Sequence, residues 1–441
     1  MAKRKVIIMG AAGRDFHNFN CIYRNNSDYE VVAFTATQIP DIDGRKYPAV
    51  LAGELYPSGI PILAEEDIPQ IIQDNDGIDE VVFSYSDVDY QYLMNRASWV
   101  LAAGAKSFKL IGPEETMLKA KVPVISICAT RTGCGKSQTT RRVAEILTEA
   151  GKKVVAIRHP MPYGDLTKQI WQRYETLEDL EKYECTIEEM EEYEPHINRG
   201  NILYAGVDYG EILKRAEEEA DVILWDGGNN DTSFYASDLT ITVADPHRPG
   251  DELFYYPGEI NMRLADIVLV NKVDTADLES ILQVRESAKI VNPYAMIMEA
   301  ASPITVDDPE AIEGKRVLVV EDGPTLTHGG MKYGAGVVAA ERCGATELVD
   351  ARPFAVGSIA ETYEKYPEIG TLLPAMGYGK EQVADLEKTI NASDAEVIVI
   401  GTPIDLRRVI KINKPSVRVQ YDLDVIGKPT LEDILKEKFD L

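Results

Sequence analysis

The stretch Thr130-Arg131-Thr132-Gly133-Cys134-Gly135-Lys136-Ser137 constrains the fold of this chain more than any other. Residues 122–129 before it form an apolar, β-branched run, and residues 138–150 after it carry the apolar spacing of an amphipathic helix. The stretch is therefore the turn between a strand and a helix. Three requirements for cradling a polyphosphate coincide in it: glycines that let backbone N–H groups come close, a lysine, and a helix N-terminus whose dipole favours anions. The backbone of Thr132, Gly133, Cys134 and Gly135 is expected to surround the phosphates. Lys136 then reaches the outer ones, the Ser137 hydroxyl binds Mg²⁺, and Gln138 follows at the helix start. Thr130 stands where such loops usually carry their first glycine.

Strand and helix signals alternate on both sides of this loop. Positions 6–9, 31–34, 81–83 and 108–111 read as strands and 88–103 as a helix. Gly10-Ala-Ala-Gly13 makes a Rossmann-like opening, but a full Gly-x-Gly-x-x-Gly is missing and no acidic ribose ligand follows in place, which argues against a dinucleotide. Arg14 and His17 just beyond it admit two readings, anion ligands or structural groups. Lys119-Ala-Lys-Val-Pro123 separates this unit from the rest, where strands are expected at 154–157, 222–225, 239–243, 267–270, 317–320 and 397–400. The fold class is α/β: a Rossmann-like N-terminal domain, 1–120, followed by a nucleotide-binding and catalytic domain of the phosphate-loop NTPase class, 121–441, with a mainly parallel sheet and an acidic helical flap at about 165–200.

With 441 residues, 45% of them hydrophobic, the chain can bury two or three substantial cores. No apolar run approaches the roughly 20 residues of a membrane-spanning helix, and the first residues lead into a short strand rather than a signal peptide, so the expected location is the cytoplasm. The formal charge of −27 argues against nucleic-acid and anionic-membrane partners, both of which need a basic surface. Between Glu175 and Glu194 ten carboxylates face one lysine, which reads as a solvated helical pair. The five cysteines show neither zinc spacing nor an even number and read as reduced thiols.

Asp226, at the end of the expected strand 222–225, has the position of a Mg²⁺ ligand or water-positioning carboxylate. Asn271-Lys272-Val-Asp274 has the form of a guanine-reading motif, in which the Asp carboxylate accepts two hydrogen bonds from the base edge. Arg131 lies five residues before Lys136, where dimerising phosphate-loop proteins carry an extra cation that neutralises charge during phosphoryl transfer. Basic groups recur at expected strand ends, namely Arg158 and His159, His247 and Arg248, and His328 with Lys332. Together they point to a second anion site facing the nucleotide.

The combination of Arg131-Thr-Gly-Cys-Gly-Lys-Ser137, Arg158-His-Pro160, Trp225-Asp-Gly-Gly-Asn-Asn-Asp231, Ala244-Asp-Pro-His-Arg248 and Thr327-His-Gly-Gly-Met-Lys332 spans nearly the whole chain. In it the chain resembles the cyclic 2,3-diphosphoglycerate synthetase family. The resemblance implies an ATP-dependent, Mg²⁺-requiring closure of 2,3-diphosphoglycerate, or a similar polyanionic small molecule, by a homodimer. Lys136, Arg131 and the metal would move a phosphoryl group onto one substrate phosphate, and the second basic cluster would hold the other. Such a cluster is needed because two unit charges about 4 Å apart repel by about 4 kcal/mol at an effective dielectric of about 20. Base-edge physics at Asn271 and Asp274 favours GTP while the resemblance favours ATP; ATP is the expected co-substrate, with GTP the alternative. The competing functional class is a nucleotide-switched dimeric GTPase or ATPase acting on a protein partner.

Overall fold

Strands that are buried on both faces must be apolar throughout, and the runs Ile-Val-Leu-Val at Ile267–Val270 and Val-Ile-Val-Ile at Val397–Ile400 are the interior strands of two different parallel sheets. The computed structural model describes residues 3–37, 45–159, 164–228, 230–327, 331–376 and 380–439. Its main sheets are three, joined by a two-stranded pairing of Val88–Asp89 with Tyr255–Tyr256. The first sheet runs in the order Lys46–Tyr47, Ile60–Ala64, Tyr29–Ala36, Arg4–Met9, Glu80–Phe83, Phe108–Lys109, parallel except at the Lys46–Tyr47 edge.

The central sheet has nine strands. Its order is Gln172–Tyr174, Ile202–Ala205, Val154–Arg158, Val222–Trp225, Val124–Ala129, Leu239–Ala244, Ile267–Val270, Met296–Ala301 and Asp424–Ile426. Both outermost pairings are antiparallel and the interior is parallel. The phosphate-loop strand Val124–Ala129 sits in the middle, and the helix Lys136–Glu149 follows it. A third sheet runs Ile304–Val306, Ser416–Tyr421, Val397–Ile400, Arg316–Asp322, Glu347–Leu348, with Leu373–Ala375 also paired to Arg316–Asp322.

The mainly parallel α/β class expected from the sequence is thus present. The division at about residue 120 is too coarse, because residues 121–441 hold two sheets with separate cores. The chain leaves the central sheet after Met296–Ala301, builds the third, and returns through Asp424–Ile426. The closing helix Leu431–Phe439 then packs on the phosphate-loop helix, with Leu431 and Leu435 buried against the core of Val143, Ala144 and Leu147.

The acidic segment is also not the solvated pair expected from its charge. Its second helix, Ile187–Ile197, buries Glu188, Glu189, Glu191 and Glu194. Burial is tolerated because partners meet them. Glu189 accepts the N–H of Thr186 in a capping box, Glu194 pairs with Arg408 at 3.0 Å, and Glu191 is hydrogen-bonded to Thr402. Among the described residues no helix is long and apolar enough to cross a membrane.

Candidate active site

The loop between Val124–Ala129 and Lys136–Glu149 is shaped by two glycines with positive φ, Gly133 at 83° and Gly135 at 105°. A Cβ on Gly135 would lie 2.1 Å from Asn271 Nδ2, so no larger residue fits there. Neighbouring side chains grip the loop by its carbonyls. Asn271 Nδ2 donates to Cys134 O at 2.9 Å, Lys272 Nζ to Gly133 O at 2.6 Å, and Arg248 Nη2 to Thr132 O at 2.8 Å. Asp245 balances two of these braces, at 2.7 Å from Lys272 and 3.3 Å from Arg248. With its carbonyls held outside, the loop keeps N–H groups for a ligand.

Two residues of the guanine-type motif, Asn271 and Lys272, therefore hold the loop in shape, and so does Arg248, which the sequence placed in a second anion site. Asp274 is exposed, accepts the Ser302 N–H at 2.9 Å, and does not line the cleft above the loop. Gln138 does line it and accepts the Ser302 hydroxyl at 3.2 Å.

Beneath the loop, Asp226 gathers three basic side chains. Lys136 Nζ is 2.6 Å from its Oδ1, Arg158 Nη1 is 2.7 Å from its Oδ2, and His196 Nε2 is 3.1 Å from the same oxygen. Burial by itself would raise the Asp226 pKa, but the charges of Arg158 and Lys136 outweigh it and hold the carboxyl well below the usual range. Burial and the nearby Arg158 lower the Lys136 pKa, against the pull of Asp226. His196 comes from the acidic helix; its sequence neighbour Arg199 gave no sign of the pairing with Asp226, which lies 30 positions further along the chain.

Ser137 Oγ lies 3.4 Å and Asp226 Oδ2 2.7 Å from the same Arg158 nitrogen. A hydroxyl and a carboxylate converging on one cationic point are hard oxygen donors, and they fit Mg²⁺ together with nucleotide phosphates and water. Arg131 lines the cleft but is held within its own chain, with Nε 2.7 Å from Asp87, Nη1 bonded to Asp251, and its guanidinium 3.5 Å from the Tyr255 ring centre. Both its charge and its reach are taken up by these neighbours.

The expected second anion site does not assemble among the described residues. His17 is buried, stacks on Phe234 at 4.1 Å and bonds Thr116 O at 2.7 Å; burial pushes its pKa down to about 3. Arg14 lies 4.0 Å over the same ring and bonds Thr232. His159 is buried 3.2 Å from Asp231, and a Cβ on Gly13 would fall 2.2 Å from its Nδ1. These three residues join the first sheet to the central one and are absent from the cleft lining.

Arg158 spends its remaining face on Glu192 Oε2, 2.9 Å from its Nε. His247 lines the cleft, bridged between Thr275 and Tyr333 at 2.9 Å each, and burial lowers its pKa. Lys332 is exposed and outside the lining, and His328 lies outside the described residues. Each described cation read as a ligand from sequence thus either has a counter-charge or an acceptor distant in the chain, or stands away from the cleft.

What faces the phosphate loop is an acidic wall. The cleft is bordered by Glu188, Glu191, Glu192, Glu321 and Asp322, of which Glu192 is paired with Arg158. Glu321 and Asp322 sit at the carboxyl end of Arg316–Asp322 in the third sheet, so strand ends of two sheets meet across the cleft. Burial and then the neighbouring Asp322 carboxylate push the Glu191 pKa well up, while Asp322 is raised by burial. Thr325 Oγ1 holds Asp322 at 2.5 Å.

Glu321 accepts the Val337 N–H at 3.0 Å at the start of Ala335–Arg342. Burial raises its pKa to about 7. A Cβ on Gly334 or Gly401 would come within 2.5 or 2.6 Å of its carboxylate. The space beside Gly334, Gly336 and Gly401 is therefore filled by the protein's own carboxyl group.

No protein-family model matches the sequence. The chain is 64% identical over 435 residues to the protein named arginine synthetase ArcE of Thermococcus kodakarensis, covering 99% of this chain and 97% of that one. A solved structure of LpxK from Aquifex aeolicus, an "apo" form in complex with ATP, overlaps 74% of this chain and 90% of its own at 13% identity and a TM-score of 0.45. The name of the Thermococcus relative denotes a different reaction from diphosphoglycerate cyclisation and overturns that expectation. The physical reason is that, among the described residues, the cations expected to hold a second polyanion are bonded within the chain or stand outside the cleft lining.

Proposed function

We propose, from the premise that the chain belongs to the family of the archaeal arginine synthetase ArcE, that it is a nucleotide-dependent synthetase which forms the guanidinium group of arginine. The observation that carries this reading is the acidic wall facing the phosphate loop across one cleft. Carboxylates suit a guanidinium product through paired, charge-assisted hydrogen bonds, and they suit equally the N–H groups of its neutral precursor.

Phosphoryl transfer can make a guanidinium only by turning an oxygen on the guanidino carbon into a leaving group. The precursor is then a δ-ureido amino acid and the nitrogen donor is ammonia. The ureido oxygen attacks the γ-phosphorus of the nucleotide and the bond to the diphosphate breaks. Ammonia adds to the activated carbon, inorganic phosphate leaves with the oxygen, and a proton passes from the ammonia nitrogen to a wall carboxylate.

The residues supply positioning and charge neutralisation, which is most of what phosphoryl transfer needs. The loop N–H groups and Lys136 hold the outer phosphates. Ser137 and Asp226 would hold Mg²⁺, which when bound neutralises charge on the nucleotide phosphates. Arg158 passes from Asp226 to the incoming phosphoryl group. The nucleotide is ATP in this reading, because Asp274 is occupied by Ser302 and stands apart from the cleft.

Incubation with Mg²⁺, ATP, ammonium and a δ-ureido amino acid is expected to yield arginine and phosphate in equal amounts, followed by chromatography and a phosphate assay. Phosphate release that does not depend on the ureido compound, or the absence of arginine, would overturn the reading.

A further inference from the structure

Arg141 is a buried guanidinium with no salt bridge to any described carboxylate, the charges of Asp422 and Asp226 acting on it only from a distance. It projects from the phosphate-loop helix, is 7% exposed, and forms no ion pair with any described residue. Its contacts are one hydrogen bond from Nη2 to Tyr421 O at 3.3 Å and the Tyr421 ring 5.7 Å away, and its Nε has no acceptor. The neighbouring arginines are neutralised, Arg142 by Glu145 and Arg199 by Asp422 at 3.1 Å. A buried charge without a partner is costly, so a site that keeps one is built to receive the opposite charge from a ligand.

Arg141 lines a second cavity on the flank of the same helix, whose border also carries Arg142, Arg199, Glu145, Asp422, Asp424 and Glu432. Gln138 lines both this cavity and the catalytic cleft, with Ser302 on the cleft side and Pro303 on the other. Tyr421 borders the cleft, and its hydroxyl lies within electrostatic reach of Arg141 as well as of Asp322, Glu191 and Glu321. A buried guanidinium without a salt bridge and the carboxyl groups of the cleft are thus both neighbours of one tyrosine.

A molecule with an anionic head and a basic or ureido tail, its ends kept apart by an aliphatic stem, matches this polarity. Resting on the synthetase reading, we propose that Arg141 anchors the α-carboxylate of the amino-acid substrate and thereby sets the register of its side chain against the acidic wall. A guanidinium fork meets a carboxylate with paired N–H bonds, which a lysine cannot reproduce.

The test is calorimetric binding of arginine and of agmatine, its decarboxylated analogue, to the full-length protein, to Arg141→Gln and to Arg141→Lys, each with a non-hydrolysable ATP analogue present. Wild-type protein is expected to bind arginine about ten- to hundredfold tighter than agmatine. Arg141→Gln should bring the two affinities together, Arg141→Lys should fall between, and the affinity for the ATP analogue should stay unchanged in both, which also reports that they fold. Equal binding of arginine and agmatine by the wild type would overturn the proposal without any variant. So would a preference for arginine that survives in Arg141→Gln. Loss of the synthetase reading would show differently, as absent arginine formation with the binding preference intact.

Discussion

Lys136 and Asp226 form a buried ion pair, but their two substitutions have different consequences. Lys136→Ala leaves Asp226 with Arg158 and His196, whereas Asp226→Asn leaves two buried cations facing a neutral group. Breaking a buried pair from the acidic side costs about 3–5 kcal/mol. Both variants are expected to lose turnover, and Asp226→Asn alone to lose several degrees of thermal stability; equal melting temperatures would contradict the charge arrangement. Glu321 makes a pH prediction. Its folded pKa, about 7, lies above its ordinary value of 4.5, so the folded state favours the protonated form. Its contribution to stability is fully present below pH 4.5 and is lost as pH rises through 7, by up to about 3 kcal/mol at about 1.4 kcal/mol per pH unit. Glu321→Gln, neutral at every pH, should flatten that part of the melting-temperature profile between pH 5 and 8. An unchanged profile would show that Glu321 does not titrate in this range.

At the scale of elements, the phosphate loop is fixed from outside as well as by its own glycines. Gly258 opens the helix Gly258–Leu264, and a Cβ on it would lie 2.1 Å from Thr130 O. Gly258→Ala must push the loop's first residue aside, and a displacement of that size near reacting groups costs about 10²-fold in rate. The expected result is a fall of that order in kcat/KM for ATP with the fold retained, read by steady-state kinetics and circular dichroism. The loop was legible in the sequence because strand, glycines, lysine and helix are contiguous. Interior strands such as Val222–Trp225 were legible as apolar runs. The short edge strands Lys46–Tyr47, Gln172–Tyr174 and Asp424–Ile426 were not, being too brief to show a period. The acidic wall was hidden for another reason: Glu191 and Glu192 belong to a charge run that looks solvated, and Glu321 and Asp322 arrive from a different sheet. The cations were misjudged in the converse way, since Asp87, Asp226, Asp245 and Asp251, which neutralise them, lie far away in sequence or gave no local signal.

For the molecule as a whole, the arrangement that matters is the excursion of the chain through the third sheet and its return to the second. Leu435 is fully buried in the core that carries the phosphate-loop helix. Leu435→Ala should lower the unfolding free energy by about 2–5 kcal/mol, the usual cost of emptying such a position. A denaturant titration with an unshifted midpoint would show that the closing helix is not part of that core. The same packing orders events during synthesis. The helix beginning at Lys136 emerges from the ribosome early, but this flank of it stays uncovered until residue 435 has followed.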